Sequence, residues 1–100
     1  MDVFETEKAI LVRLELAGVR ISDLSVTVDG NLLRISGVRQ AASTDGVQRL
    51  HQMEIAFGPF ERVMRLEVPF ERDRVSAHLE EGFLTVMLPK QTPRRLSVED

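Results

Sequence analysis

His51 and His78 are the two imidazoles of the chain, and each has a glutamate close by in sequence, Glu54 and Glu80. Imidazole is the side chain best suited to move a proton near neutral pH, and a carboxylate beside it can orient the ring or share a metal ion. The spacing supports neither role. No His-x-x-x-His pair is present, and no glycine-rich turn displays a serine. The chain has no cysteine, which removes a thiol nucleophile, a thiolate metal site and any disulfide framework. His78 alternates with Ala77 and Leu79 and so faces solvent from a strand. Arg62 and Arg65 are most simply charges on a strand. The chain is therefore read as a non-enzyme, with no catalytic residue, no metal site and no cofactor.

The residues that carry information are apolar ones at a spacing of two. Val75, Ala77 and Leu79 share one face of a run that ends at Glu80, and Leu84, Val86 and Leu88 share one face of the next. Between them stands a Glu-Gly turn, with Gly82 free to adopt a positive φ, so the pair reads as a β-hairpin with one buried side. Pro89 cannot continue a central strand and marks the exit. The same alternation places Val12, Leu14 and Leu16 inward, with Arg13 and Glu15 outward, until Ala17-Gly18 ends the run. A polar Ser22-Asp23 turn leads into Leu24, Val26 and Val28. Asp29-Gly30-Asn31 is a strong turn signal, and Leu33 and Ile35 follow before Gly37 closes the strand. Phe60, Arg62, Met64, Leu66 and Val68 line one face of a further strand. No helical period persists and no repeat is visible. The fold class is all-β, a single antiparallel β-sandwich.

Two stretches do not belong to a closed sandwich. Val38 to Phe57, twenty residues, is too long for an ordinary hairpin connection. Gln40 to Gly46 is polar, while Val47 to Ile55 regains alternation. Two readings stand: a mobile surface loop, or a strand carried off the body to pair with the sheet edge of another copy. The second stretch follows Lys90. Gln91 to Arg95 is polar and broken by Pro93, and then Leu96 and Val98 point the same way in an extended chain, which suits two adjacent apolar pockets. The alternative is a disordered tail. The domain is accordingly assigned to residues 1–90 and a flexible C-terminal extension to 91–100.

Taken together these motifs resemble the small heat-shock (α-crystallin domain) family, of the non-animal type. Ala77 and Gly82, followed by the aliphatic pairs and the Leu88-Pro89-Lys90 end, carry the most specific part of the likeness. Leu16-Ala-Gly-Val19 corresponds to the family's Leu-Pro-Gly-Val, Asn31 to Gly37 to its strand ending Ile-Ser-Gly, and Phe57-Gly-Pro-Phe60-Glu-Arg62 to its aromatic-Gly-x-Phe-x-Arg motif. There are departures: Ala17 stands where proline is usual, and Pro69 lies two residues beyond the usual Leu-Pro. The usual apolar N-terminal arm is also mostly lacking, which suggests a trimmed chain or a minimal member with a dimer as its assembly.

The resemblance implies an immunoglobulin-like sandwich and an ATP-independent holdase that binds non-native client proteins. It implies a homodimer in which Val47, Arg49, Leu50, His51 and Met53 of one chain meet Val3, Phe4 and Glu5 of the other, with His51 as a pH-sensitive contact. It further implies that one of Arg62 and Arg65 pairs with a carboxylate across an interface. Higher oligomers would form when Leu96 and Val98 dock in another protomer's groove, lined by Leu24, Val26 and Val28 on one side and Val75, Ala77 and Leu79 on the other. The alternative is a co-chaperone or scaffold sandwich that binds one folded partner.

Composition agrees with these expectations. A 100-residue chain with 43% hydrophobic residues can bury one modest core. The net charge is −3 with no basic stripe, and the five aromatics are all phenylalanine, so nucleic acid is not an expected partner. No apolar run approaches the length of a membrane span and no basic-then-apolar leader is present, which points to a cytoplasmic protein without membrane contact.

Overall fold

The structure, a computed structural model, describes residues 1–92, 97 and 98. Seven strands form two antiparallel sheets: β1 (Asp2–Glu5), β2 (Ala9–Glu15), β3 (Leu24–Asp29), β4 (Leu32–Arg39), β5 (Gly58–Arg65), β6 (Ser76–Glu80) and β7 (Phe83–Pro89). One sheet has the order β1-β2-β7-β6 and the other β3-β4-β5. Single 3₁₀ turns at Ile21–Asp23 and Arg72–Arg74 carry the chain between sheets.

The core lies between the sheets and is wholly apolar. Ile10, Val12 and Leu14 of β2 stand directly opposite Leu88, Val86 and Leu84 of β7, and all six are buried. Leu33 and Ile35 of β4 close the layer from the other sheet, with Leu16, Val19, Leu66 and Phe70 sealing its ends. Each expected inward residue of β2 and β4 is buried, because a period of two commits alternate side chains to one face.

Both predicted tight turns form. Gly30 has φ 61° at the first position of the two-residue turn between Asp29 and Leu32. Glu81 and Gly82, with φ 52° and 82°, both occupy the left-handed region between Glu80 and Phe83, the conformation whose twist matches the flanking strands. Lys90, at the end of β7, donates from Nζ to Glu5 Oε2 at 2.8 Å and so ties β7 to the end of β1.

Three expectations change. β4 does not stop at Gly37 but runs on to Arg39, because β5 pairs with it as far as Gly58. β5 in turn ends at Arg65, since the Leu66 N–H turns to the Asn31 carbonyl at 2.7 Å. Arg62 does share a face with Phe60 and Met64, directly opposite the buried Ile35, and is exposed because β5 is the edge of its sheet. Ala77 is exposed as well: β6 is a sheet edge, and no strand lies beyond it to cover that side. Residues 40–57 carry no strand in the single chain, and Leu96 lies outside the described residues.

Two stability predictions follow from this packing. A Cβ built on Gly37 would lie 2.5 Å from the Asp23 carbonyl oxygen and 2.9 Å from Phe60 Cζ. Gly37→Ala is expected to lose about 1–3 kcal/mol in urea unfolding, because a backbone atom cannot step aside as a flexible side chain can. Glu81→Asn should instead gain roughly 0.5–1 kcal/mol in the same assay, since asparagine tolerates the left-handed conformation better than glutamate.

Candidate binding groove and exchange edge

The two histidines are not brought together with other chemistry. His78 Nε2 lies 3.2 Å from Glu80 Oε2, and both side chains are about three-quarters exposed on the outer face of the sheet. The pair borders a depression of about 260 Å³ with Arg13, Phe83 and Thr85, and side chains so open to solvent do not shield a reacting group from water. His51 lies in the exposed 40–57 segment. Among the described residues no cluster of three His, Asp or Glu side chains could hold a metal ion.

What the fold does assemble is an apolar groove between two sheet edges. Leu24 and Val26 of β3 face Ala77 and Leu79 of β6 across a cavity of about 190 Å³, with Leu84 of β7 as its floor and Ile21 at its rim. The strands lie in different sheets and neither has a further neighbour, so the gap between them stays open. Of the six residues named for a groove, Leu24, Val26, Ala77 and Leu79 border this cavity. Val28 and Val75 do not; both are half-buried against the core. Ile21 was not anticipated. It is 73% exposed in the 3₁₀ turn, and its only sequence signal is a lone aliphatic residue among polar neighbours.

A second open edge is β1, which pairs with β2 and with no other strand. Val3 stands opposite the buried Val12 and so lies on the core side; Phe4 stands opposite Leu11, on the outer side. Both remain more than two-fifths exposed, and Arg13 covers part of the Phe4 ring at 5.6 Å. Residues 40–57 are exposed throughout, including Val47, Leu50, Met53, Ile55 and Phe57. Among the described residues, the one backbone hydrogen bond of this segment outside the strands runs from the Val47 N–H to the Thr44 carbonyl, 3.1 Å. Its remaining peptide groups are available to a partner.

A further cavity, about 380 Å³, lies where Glu15, Arg39 and Arg62 meet Phe57 and Phe60. Arg39 approaches Glu15 at 3.9 Å, whereas neither Arg62 nor Arg65 makes an ion pair among the described residues.

The family model for the Hsp20/alpha crystallin family matches residues 2–99. The chain belongs to that family. Spore protein SP21 of Stigmatella aurantiaca is 34% identical over 100 residues, covering 97% of this chain and 59% of that protein. The chain thus spans little more than half the length of this relative. Among solved structures, heat shock protein 16.0 from Schizosaccharomyces pombe superposes with a TM-score of 0.81 at 35% identity, covering 98% of this chain and 94% of that one. A small heat-shock protein from Xylella fastidiosa gives 0.80 at 27% identity, covering 99% and 94%. The antiparallel sandwich is thus the α-crystallin domain, and the family is one of heat-shock proteins rather than enzymes.

The groove separates binding from folding in a testable way. Ile21→Ser should leave unfolding free energy within about 0.5 kcal/mol of the parent, because the side chain is already mostly in water. Leu84→Ala removes the floor from a site that is 1% exposed, and a loss of about 2–5 kcal/mol is expected in the same measurement.

Proposed function

We propose that this family member is an ATP-independent holdase that acts in the cytoplasm, binds non-native proteins and prevents their aggregation. The observation that carries the proposal is the open apolar groove between β3 and β6, lined by Leu24, Val26, Ala77 and Leu79. A monomeric domain with no binding role would be expected to close such a gap, since apolar surface in water is unfavourable. Here it is left at two sheet edges, where an extended segment can lie along it.

The groove's occupant in the resting assembly is the C-terminal extension of another copy, through Leu96 and Val98. Val98 is 95% exposed in the single chain and so is not held by its own domain. Burying the two side chains contributes roughly 1.5–3 kcal/mol each. Ordering the tail and losing translational freedom offset most of that, so a single contact is weak and several at once are needed. Weak, exchangeable cover is what a holdase requires, because unfolding clients must be able to displace it.

The assembling unit is a homodimer in which the 47–53 segment of each chain adds to the β1 edge of the other. The free β1 edge and the exposed, unpaired 40–57 segment support this reading. A high-order structure is described for the related small heat-shock protein of Xylella fastidiosa.

Light scattering of heated or reduced clients, with and without the protein, tests the activity. Suppressed scattering for several unrelated clients is expected; binding to a single folded partner alone would instead mark a scaffold domain. Leu96→Ala/Val98→Ala should shift native mass toward the dimer. An unchanged size distribution would remove the tail from the assembly.

A further inference from the structure

The outer face of the four-stranded sheet carries an apolar stripe that folding leaves uncovered. Phe4, Leu11 and Met87 stand at one level across β1, β2 and β7, since Phe4 pairs with Leu11 and Leu11 with Met87. Phe4 is 43% and Met87 42% exposed. The stripe reaches the free edge of β1, where the exchange reading above places a partner's segment. Polar residues would be expected on this face, and Arg13, Glu15, Thr85, His78 and Glu80 supply them elsewhere.

We propose that the stripe receives Leu50 of a second copy, and that this sets the face and register of the exchange. The proposal rests on the strand-exchange reading and adds to it a specific pairing: the 47–53 segment antiparallel to β1, with Leu50 opposite Phe4. Alternation then puts Val47, Arg49, His51, Met53 and Ile55 on the core side, and Gln48, Leu50, Gln52 and Glu54 on the outer side. The first set is mainly apolar. The second is polar except for Leu50, the one residue that needs an apolar neighbour on the outer face.

Charge selects the same alignment. With Leu50 opposite Phe4, Arg49 falls opposite Glu5 and His51 opposite Val3. Glu5 already accepts from Lys90, yet its side chain is 57% exposed, and a carboxylate has capacity for a second cation. Opposite charges directly across a ladder are favourable. Sliding the segment by two residues in one direction sets Leu50 against Asp2; in the other it sets Leu50 against Thr6 and Glu54 against Asp2. A slip of one residue turns Gln48, Gln52 and Glu54 toward the core, where unpaired polar groups are costly. A parallel arrangement with the same Leu50–Phe4 contact puts Arg49 against Val3 and leaves Glu5 facing the His51 imidazole in place of a permanently charged guanidinium.

The absence of cysteine makes the register directly measurable. A Phe4→Cys chain is mixed with a Leu50→Cys chain under mild oxidation, and two-chain species are resolved without reductant. Directly opposed positions come close enough to bridge. A disulfide-linked pair is expected, at roughly tenfold the yield of either variant alone and of a Val3→Cys with Leu50→Cys mixture, because adjacent residues of a strand face opposite ways. Native mass of the unmodified chain is recorded in parallel. A dimer that links better at positions 3 and 50, or not at 4 and 50, overturns the register while leaving strand exchange standing. A chain that is monomeric by native mass overturns both.

Discussion

The ladder between β2 and β7 is the constraint on which the other strands depend. Its residues come from opposite ends of the chain, and its inner side is a double row of buried aliphatics, with Val12 against Val86 at the centre. Burial of that row requires a second layer, which Leu33 and Ile35 supply from β4. Once the ladder is set, β1 and β6 can join only at its two flanks, and each becomes an edge. Among the described residues no fifth strand joins this sheet. The open edges are thus a consequence of how the core is built, and they are where this family member has something to offer a partner.

The two edges are open in different ways. At β6 the gap faces the edge of the opposite sheet, so an incoming segment finds side chains from both layers and lies along a groove. For a segment bound as proposed, specificity there would come from pockets, with side-chain size deciding the fit. At β1 the offer is a row of backbone groups with Val3 on one side and Phe4 on the other. For a strand added there as proposed, affinity would come from main-chain hydrogen bonds, with alternation deciding which side chains point in. Lys90 joins the two regions mechanically: it follows the last residue of β7, and its bond to Glu5 holds the end of β1 in place.

Much of this was legible in the sequence because burial in a two-layer sandwich imposes a period of two. Val12, Leu14, Leu33, Ile35, Leu84, Val86 and Leu88 announced themselves that way, and Gly30 and Gly82 marked the turns between strands. Edge positions were harder. Ala77 follows the same alternation as Val75 and Leu79 yet is exposed, because alternation reports which face a residue is on and not whether another strand covers it. Val28, at the far end of β3, and Val75, just ahead of β6, pack against the core instead of bordering the cavity, because alternation cannot say where along an edge the two sheets diverge. Ile21 was invisible because an isolated aliphatic residue in a turn has no period at all. The outer stripe did leave a trace, since Leu11 and Met87 are apolar where a solvent face should be polar, but each alone is an ordinary exposed hydrophobe.

The 40–57 segment shows the limit most clearly. A strand is defined by its neighbour, so Val47 to Ile55 can alternate without forming one in a single chain. Its exposed apolar residues would be a hazard on an isolated domain, because extended apolar segments with free peptide groups pair with whatever edge they meet. Two features restrain that tendency. Arg49, His51 and Glu54 interrupt the apolar set with polar groups, and a suitable edge must then satisfy both alternation and charge. In the proposed exchange the β1 strand of a second copy, with Val3 and Glu5 on one face and Phe4 on the other, meets those conditions. On that proposal self-recognition is favoured over indiscriminate pairing, and the groove between β3 and β6 is a separate surface that the exchange leaves open.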